Sequence, residues 1–253
     1  MIQIKNAAEL EKMRKACAIS AAALKAGGEA IEPGITTAEI DKIIYDFIVR
    51  HGARPNFLHL YGFPATACIS VNDTVIHGIP NKQQQIRPGD IVSIDTGCKI
   101  DGFNGDNACT FPCGKVDIEA QRLMDVTKES LHRGIAAAVA GNRVGDIGHA
   151  VQSYVEENGF SVVRSFVGHG VGKELHEDPE VPNYGHAGHG VRLVNGMTIA
   201  IEPMVNQKHH CVKTLSDGWT VVTADGGLAA HFEHSIAILP GGPEILTIGW
   251  EEP

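Results

Sequence analysis

No stretch of this chain strings together the roughly 18–20 apolar residues that a membrane helix needs, so no membrane partner is expected. Its first residues, Met1-Ile2-Gln3-Ile4-Lys5-Asn6, lack a basic region followed by an apolar core, and no secretory signal is read there. Positive charge is in deficit. The 21 lysines and arginines face 30 aspartates and glutamates, for a formal charge of −9, and no basic stripe suited to a phosphate backbone is present. A direct nucleic-acid partner is therefore not expected. The six cysteines (Cys17, Cys68, Cys98, Cys109, Cys113, Cys211) contain no CxxC pair. They read as reduced thiols of a cytoplasmic protein, not as a disulfide frame or a zinc cage. Several catalytic signatures are missing too. There is no GxSxG elbow and no GxxxxGK[ST] loop. His176-Glu177 has Glu180 where an HExxH helix would need histidine, and Gly168–Gly172 does not sit in a strand–helix dinucleotide unit.

Aromatics supply only 6% of the residues, whereas the hydrophobic set reaches 43% and glycines number 29. An aliphatic core with many tight turns fits an α/β or α+β enzyme, and 253 residues can bury one large core. No Pro/Ser-rich linker divides the chain. Instead it repeats itself. Gly34-Ile-Thr-Thr-Ala-Glu39-Ile40, with Ile44, Phe47, Ile48 and Gly52 behind it, recurs 107 residues later as Gly141-Asn-Arg-Val-Gly-Asp146-Ile147 with Val151, Tyr154, Val155 and Gly159. Both copies have the spacing of an amphipathic helix with glycine at the exit. A longer helical run precedes each, Ala7–Gly27 and Ile118–Ala140. The same offset relates two β-rich stretches, Ile91–Asp95 and Thr198–Glu202, each opened by a glycine turn and closed by an acid. One domain over 1–253 is expected, with related halves of roughly 1–115 and 116–253 around a central cleft.

The acids are the anomaly. Asp95 and Glu202 end apolar stretches, Asp106 lies on a strand after the Asp101-Gly102 hairpin turn, and Glu233 sits among apolar strand residues. An isolated buried carboxylate costs several kcal/mol, so such groups are paired or bind metal. Each also admits an ordinary structural reading. Asp95 could be a salt-bridged strand end, Asp106 part of a turn, Glu202 a surface strand terminus before Pro203, and Glu233 a partner of His234. Taken together with His169, which glycines flank on both sides, they form an oxygen-rich set suited to two divalent ions. His77 and His176, each three residues before a proline, look like another related pair. They could serve a developing oxyanion or be satisfied core histidines. Asp101, Glu177 and Asp178 read as turn or capping residues, and His186, His189, His209 and His210 as surface loops without a role.

Phe166-Val-Gly-His169-Gly-Val-Gly-Lys-Glu-Leu-His176-Glu-Asp-Pro-Glu-Val-Pro-Asn-Tyr184 resembles the signature of the type I methionine aminopeptidases. Around it, Ile69-Ser-Val-Asn72, His77-Gly-Ile-Pro80, Asp90–Asp95, Asp101–Asp106, Ile201-Glu202-Pro203-Met204 and Asp217-Gly-Trp219 follow in that family's order, and the resemblance spans nearly the whole chain. It implies the pita-bread fold: α+β, two pseudo-symmetric halves, helices packed outside a curved antiparallel sheet. It implies metal ligands Asp95, Asp106, His169, Glu202 and Glu233, with Asp106 and Glu233 bridging two ions (Mn, Fe, Co, Ni or Zn) and Glu202 moving protons. His77 and His176 would contact the substrate amide. Leu60, Phe63, Cys68, His77, Leu175 and Trp219 would line the methionine pocket, Leu60 and Leu175 standing where aromatics are often found. A monovalent cation is also implied, although Ala229 replaces a frequent serine. Only 33 positions separate His169 from Glu202, too few for the type II insertion, and the short N-terminus leads one to expect the minimal, bacterial-style form. The implied activity is removal of the initiator methionine before a small second residue, by attack of a dimetal-bound hydroxide. Its partners would be nascent N-termini, with transient contact at the ribosome, and its state monomeric. An Xaa-Pro aminopeptidase or dipeptidase of the same fold, or a non-catalytic binding relative, are the alternatives.

Overall fold

Two helix pairs are started by side chains that satisfy free backbone N–H groups. In this computed structural model, which describes residues 1–250, Asn6 accepts from the Glu9 N–H (3.0 Å) and Glu9 from the Asn6 N–H (3.1 Å), opening α1, Ala7–Glu29. Thr36 and Glu39 do the same for α2, Thr37–Arg50. Asp117 caps α3, Ile118–Ala137, and Asp146 accepts from the Arg143 N–H (2.7 Å) at the start of α4, Val144–Glu157. The helix expected to stop at Gly27 runs on to Glu29. Gly27 is a packing contact, not an exit: a Cβ there would lie 2.7 Å from Ile44 and 3.4 Å from Ile94. The helix expected to reach Ala140 stops at Ala137, whose carbonyl accepts from the Asn142 side chain (2.9 Å).

The main sheet has nine strands, and its paired neighbours all run antiparallel. Its central order is Ile91–Ile100, Phe103–Pro112, Glu233–Leu239, Thr198–Ile201, Gly168–Gly170, Glu177–Val181. The strand expected to close at Asp95 continues to Ile100. There Asp101 and Gly102, both at positive φ, make the expected two-residue turn into Phe103. Helix α1 packs against the first two of these strands, beside α2; α3 and α4 pair in the other half. Met13, Leu24, Ile40, Ile44, Ile48, Leu123, Leu131 and Ile147 are fully buried between helices and sheet, each worth about 1.5–3 kcal/mol of apolar burial. This is the curved sheet with outer helices that the motifs imply.

The 107-residue repeat is built into the hydrogen bonds. Gly34 donates to Ile86 O (2.8 Å) and Gly141 to Leu193 O (2.9 Å). The isolated bridge Thr36–Gln85 has its counterpart in Arg143–Arg192. Gly134, the counterpart of Gly27, would bring a Cβ within 2.8 Å of Val151 and 3.3 Å of Ile201. These partners are again the counterparts of Ile44 and Ile94. Both halves thus press the same glycine of the first helix against the same residue of the second helix and of the strand.

Candidate metal centre

Strand register brings three of the acids together. Asp95 pairs across to Ala108, and Ala108 to Glu233, so the three stand in one row over three strands. Directly paired residues project on the same face, and Asp106, two residues from Ala108, shares it. The opposite face of the first strand carries Ile94 and Cys98, which meet α1. Ala108 keeps the middle of the row small. Glu202 comes one residue after the Thr198–Ile201 strand, not on it. Ile201 pairs with His234, which sets Glu202 alongside Glu233. Pro203 has no N–H to continue the ladder, and this ends the strand.

His169 enters from Gly168–Gly170. A Cβ on Gly168 would lie 2.3 Å from Ala200 O, and one on Gly170 2.2 Å from Asp178 O, so both glycines are required by close backbone approach. The imidazole Nδ1–H donates to Gly170 O (2.8 Å). Its Nε2 is left bare and faces Glu202 Oε1 at 3.6 Å and Asp106 Oδ2 at 3.7 Å. A carbonyl holding one ring nitrogen so that the other can ligate is the usual second shell of a metal histidine. Ligand atoms of Asp106, His169 and Glu233 all lie within 4.8 Å of one another.

Burial and mutual repulsion push these carboxyls toward the protonated form. Asp95 is raised to about 7 by burial. Asp106, Glu202 and Glu233 are raised well above the carboxylate range by burial first, and then by charge: Asp95 acting on Glu202, Asp95 and Glu202 on Asp106, and Asp106, Glu202 and Asp95 on Glu233. His169 is lowered to about 4 by burial and by His176, so it is a neutral ligand at neutral pH. Asp95 Oδ1, Asp106 Oδ1 and Glu233 Oε1 are buried with no hydrogen-bond partner. Orphaned oxygens beside a bare imidazole nitrogen are what divalent cations satisfy, and this donor set fits them.

The acids floor a cleft of about 520 Å³. Its other end is apolar: Phe57, Phe63, Cys68 and Leu175 are buried there, with Leu60 and Trp219 packed against them. All six residues expected in the pocket line it. His77 and His176 stand between the two ends. They are not at the 107-residue offset, and their settings differ. His77 follows the strand Thr74–Ile76 at φ 58°, its ring edge-on to Phe166 (5.7 Å) and Trp219 (6.3 Å). His176 lies edge-on to His169 (4.5 Å) and stacks on Tyr61 (6.2 Å). Burial lowers both; His77, with His176 beside it, falls to about 4. Both are neutral donors near pH 7.

Some residues of the cleft escaped the motif reading. Glu177 does cap the bend before it, accepting from the Glu174 N–H (3.2 Å), but it also opens the strand Glu177–Val181, takes a buried ion pair from Lys5 (2.5 Å) and lines the cleft. His231 is buried behind Glu202, Nε2 to Oε2 3.8 Å, and is lowered to about 3 by burial and by His77. Its position two residues before Glu233 on a β-rich stretch was the available signal. Phe57 and Phe166 lie on loops and Tyr61 in the short 3-10 turn Leu60–Gly62 at positive φ, where no periodicity marks a side chain as inward.

The model of metallopeptidase family M24 matches residues 11–240. A methionine aminopeptidase of Clostridium perfringens is 55% identical over 248 residues, covering 98% of this chain and 99% of that protein. The crystal structure of methionine aminopeptidase from Rickettsia prowazekii superposes with a TM-score of 0.96 at 39% identity, over 98% of this chain and 100% of that one. Prolidase from Pyrococcus furiosus, at 24% identity and a TM-score of 0.80, shares the fold; the match covers 97% of this chain and 65% of that one.

Proposed function

The chain belongs to metallopeptidase family M24, among its methionine aminopeptidases, and we propose that its cleft holds two divalent cations beside a pocket for the methionine side chain. The enzyme removes the N-terminal methionine of polypeptides, and on this reading it prefers a small second residue. One observation carries the assignment of the site: five convergent donors, three with orphaned oxygens, share a cavity with an apolar end.

Asp95, Asp106, His169, Glu202 and Glu233 would hold the ions. Bound divalent ions supply the acidity that makes water a nucleophile near neutral pH, and they polarise the scissile carbonyl. Glu202 lies past the end of its strand and has a carboxylate oxygen within reach of the cleft. It takes the proton of the attacking water and returns it to the leaving amine. His77 and His176, kept neutral by burial, donate N–H to the substrate amide and the developing oxyanion. Phe63, Leu175 and Trp219 exclude water from the methionine thioether, an unbranched chain that adapts to such walls.

The substrates are N-termini of nascent chains, met in the cytoplasm during transient contact with the ribosome, by a monomer whose halves of roughly 1–115 and 116–253 make one catalytic domain. Product analysis on Met-Ala, Met-Gly, Met-Lys and Ala-Pro peptides tests the reading, run metal-free and then with Mn, Fe, Co, Ni or Zn restored. Release of methionine from the first two, only with metal, is expected. Turnover by the metal-free protein, or preferential cleavage of Ala-Pro, would overturn it.

A further inference from the structure

A second set of metal-ligating side chains lies outside the cleft, in the loop between the strands Met204–Asn206 and Val212–Thr214. Ligand atoms of His209, His210 and Cys211 all come within 4.8 Å of one another. Five of the six cysteines are buried, and Cys211 is the exposed one. The two imidazoles stack with centroids 4.3 Å apart and planes 29° from parallel.

The loop is held from several directions. The buried Asn206 side chain donates to His209 O (2.8 Å), the His209 N–H donates to Asp225 Oδ2 (2.9 Å), and Ala224 N–H donates to Cys211 O (3.0 Å). Ser161 Oγ donates to Lys208 O (2.6 Å), and Gln207 and Leu228 exchange two more bonds. Three donors on a loop fixed at its backbone are pre-collected, so little ordering entropy stands against a bound ion. His209 Nδ1 accepts only a long 3.3 Å contact from the Cys211 N–H, and a cation competes readily for that lone pair. His210 faces Arg164 and Glu156, which pair with each other at 3.6 Å.

We propose that His209, His210 and Cys211 form a separate surface site for one zinc-like cation. Two imidazoles and a thiolate select a borderline-soft ion, unlike the carboxylate-rich cluster in the cleft. With three protein ligands the ion keeps a position for water or an outside donor. Binding replaces the thiol proton of Cys211 by the cation and releases that proton to solvent.

Cobalt(II) is the probe, titrated into the metal-free full-length chain and into Cys211→Ser, His209→Ala and His210→Ala. The catalytic ligand set contains no thiolate, so a thiolate-to-cobalt charge-transfer band in the near ultraviolet reports this site alone. Wild type should show the band and bind one equivalent more than Cys211→Ser. Each histidine variant should need at least tenfold more cobalt to develop it. All three variants should cleave Met-Ala at the wild-type rate, which also shows that they fold. A wild-type protein without the band at cobalt concentrations that saturate cleavage would overturn the proposal. So would a Cys211→Ser protein that keeps the band or binds as many equivalents.

Discussion

Removing the metal should invert the pH dependence of stability. In the metal-free protein burial raises Asp95 from 3.8 to about 7, and burial together with the charge of neighbouring carboxylates raises Asp106, Glu202 and Glu233 well above their ordinary values. An acid with a raised pKa binds more protons folded than unfolded. Its contribution is complete below the unfolded value and is lost as pH rises through the folded one. The buried histidines act oppositely. His77 and His169, lowered to about 4, and His231, lowered to about 3, contribute stability that is fully present only above the unfolded value of 6.5. The window from pH 6.5 to 8.5 therefore isolates the carboxyls. One carboxyl that keeps its proton across those two units costs about 1.4 kcal/mol per unit, or about 3 kcal/mol in all. At about 2–4 °C per kcal/mol for a chain of this size, the metal-free Tm should fall by roughly 6–12 °C. With Mn saturating, cations replace the protons and binding strengthens as the acids ionise, so Tm should hold or rise. Thermal unfolding of matched samples in chelator and in Mn measures the difference and cancels groups remote from the site. Parallel profiles would show that the acids are not a coupled buried cluster emptied of charge by protonation.

Glu202→Gln keeps shape and removes the proton carrier, so kcat on Met-Ala should drop about 10²–10⁴-fold with the circular dichroism spectrum unchanged; a loss under tenfold would exclude Glu202 as the shuttle. Gly170→Ala puts a Cβ 2.2 Å from Asp178 O and must displace the carbonyl that orients His169. Stability should fall by about 1–3 kcal/mol and metal affinity by roughly 10–100-fold, read by urea unfolding and cobalt titration; wild-type affinity would show that the strand yields freely. Lys5→Met strands the carboxylate of Glu177, whose side chain is only 8% exposed. It should cost about 3–5 kcal/mol in urea unfolding, and the double variant Lys5→Met/Glu177→Leu should recover much of that; equal losses in both would mean that the packing of Lys5, not its charge, is what matters.

The repeat was readable because it is written in punctuation. Gly34 and Gly141, Gly52 and Gly159, and Gly89 and Gly196 all take positive φ, and positions needing that conformation retain glycine while surrounding residues drift. The acids were readable because a carboxylate in an apolar strand is costly and therefore conspicuous. Gly27 misled because glycine has two meanings, helix exit and close packing, and only Ile44 and Ile94, far along the chain, decide between them. Glu177 was missed for a related reason. It sits in a polar run, His176-Glu177-Asp178, and nothing local announces that Lys5, 172 residues away, will bury it. The aromatic wall of the cleft was the least accessible from pattern. Phe57 and Tyr61 belong to an irregular segment where His59 and Tyr61 hold positive φ, so neither a period of 2 nor one of 3.6 applies.

Symmetry also shows why counterpart acids do different work. Asp95 and Glu202 stand 107 residues apart at matching places in the two halves, yet the strand of Asp95 runs five residues further, to Ile100, while that of Glu202 has already ended at Ile201. Pro203 is the cause. It cannot donate to the ladder, and the chain leaves the main sheet there, re-pairing as Met204–Asn206 with Ala229–His231 in a separate three-stranded sheet. The facing strand of the same chain makes the reverse change between His231 and Glu233, where it joins the main sheet. The two strands keep one register across this point, and the Phe232 N–H donates to Pro203 O (3.3 Å), so the pairing is thinned but not broken beside Glu202 and Glu233. His231 lies behind Glu202, and the cleft opens in front of Glu202 and Glu233. Asp95, held in a continuous ladder, is suited to fix a cation in place. Glu202 follows the end of its strand at a proline, and on the proposed mechanism that difference in setting goes with its assignment as proton carrier and that of Asp95 as a metal ligand.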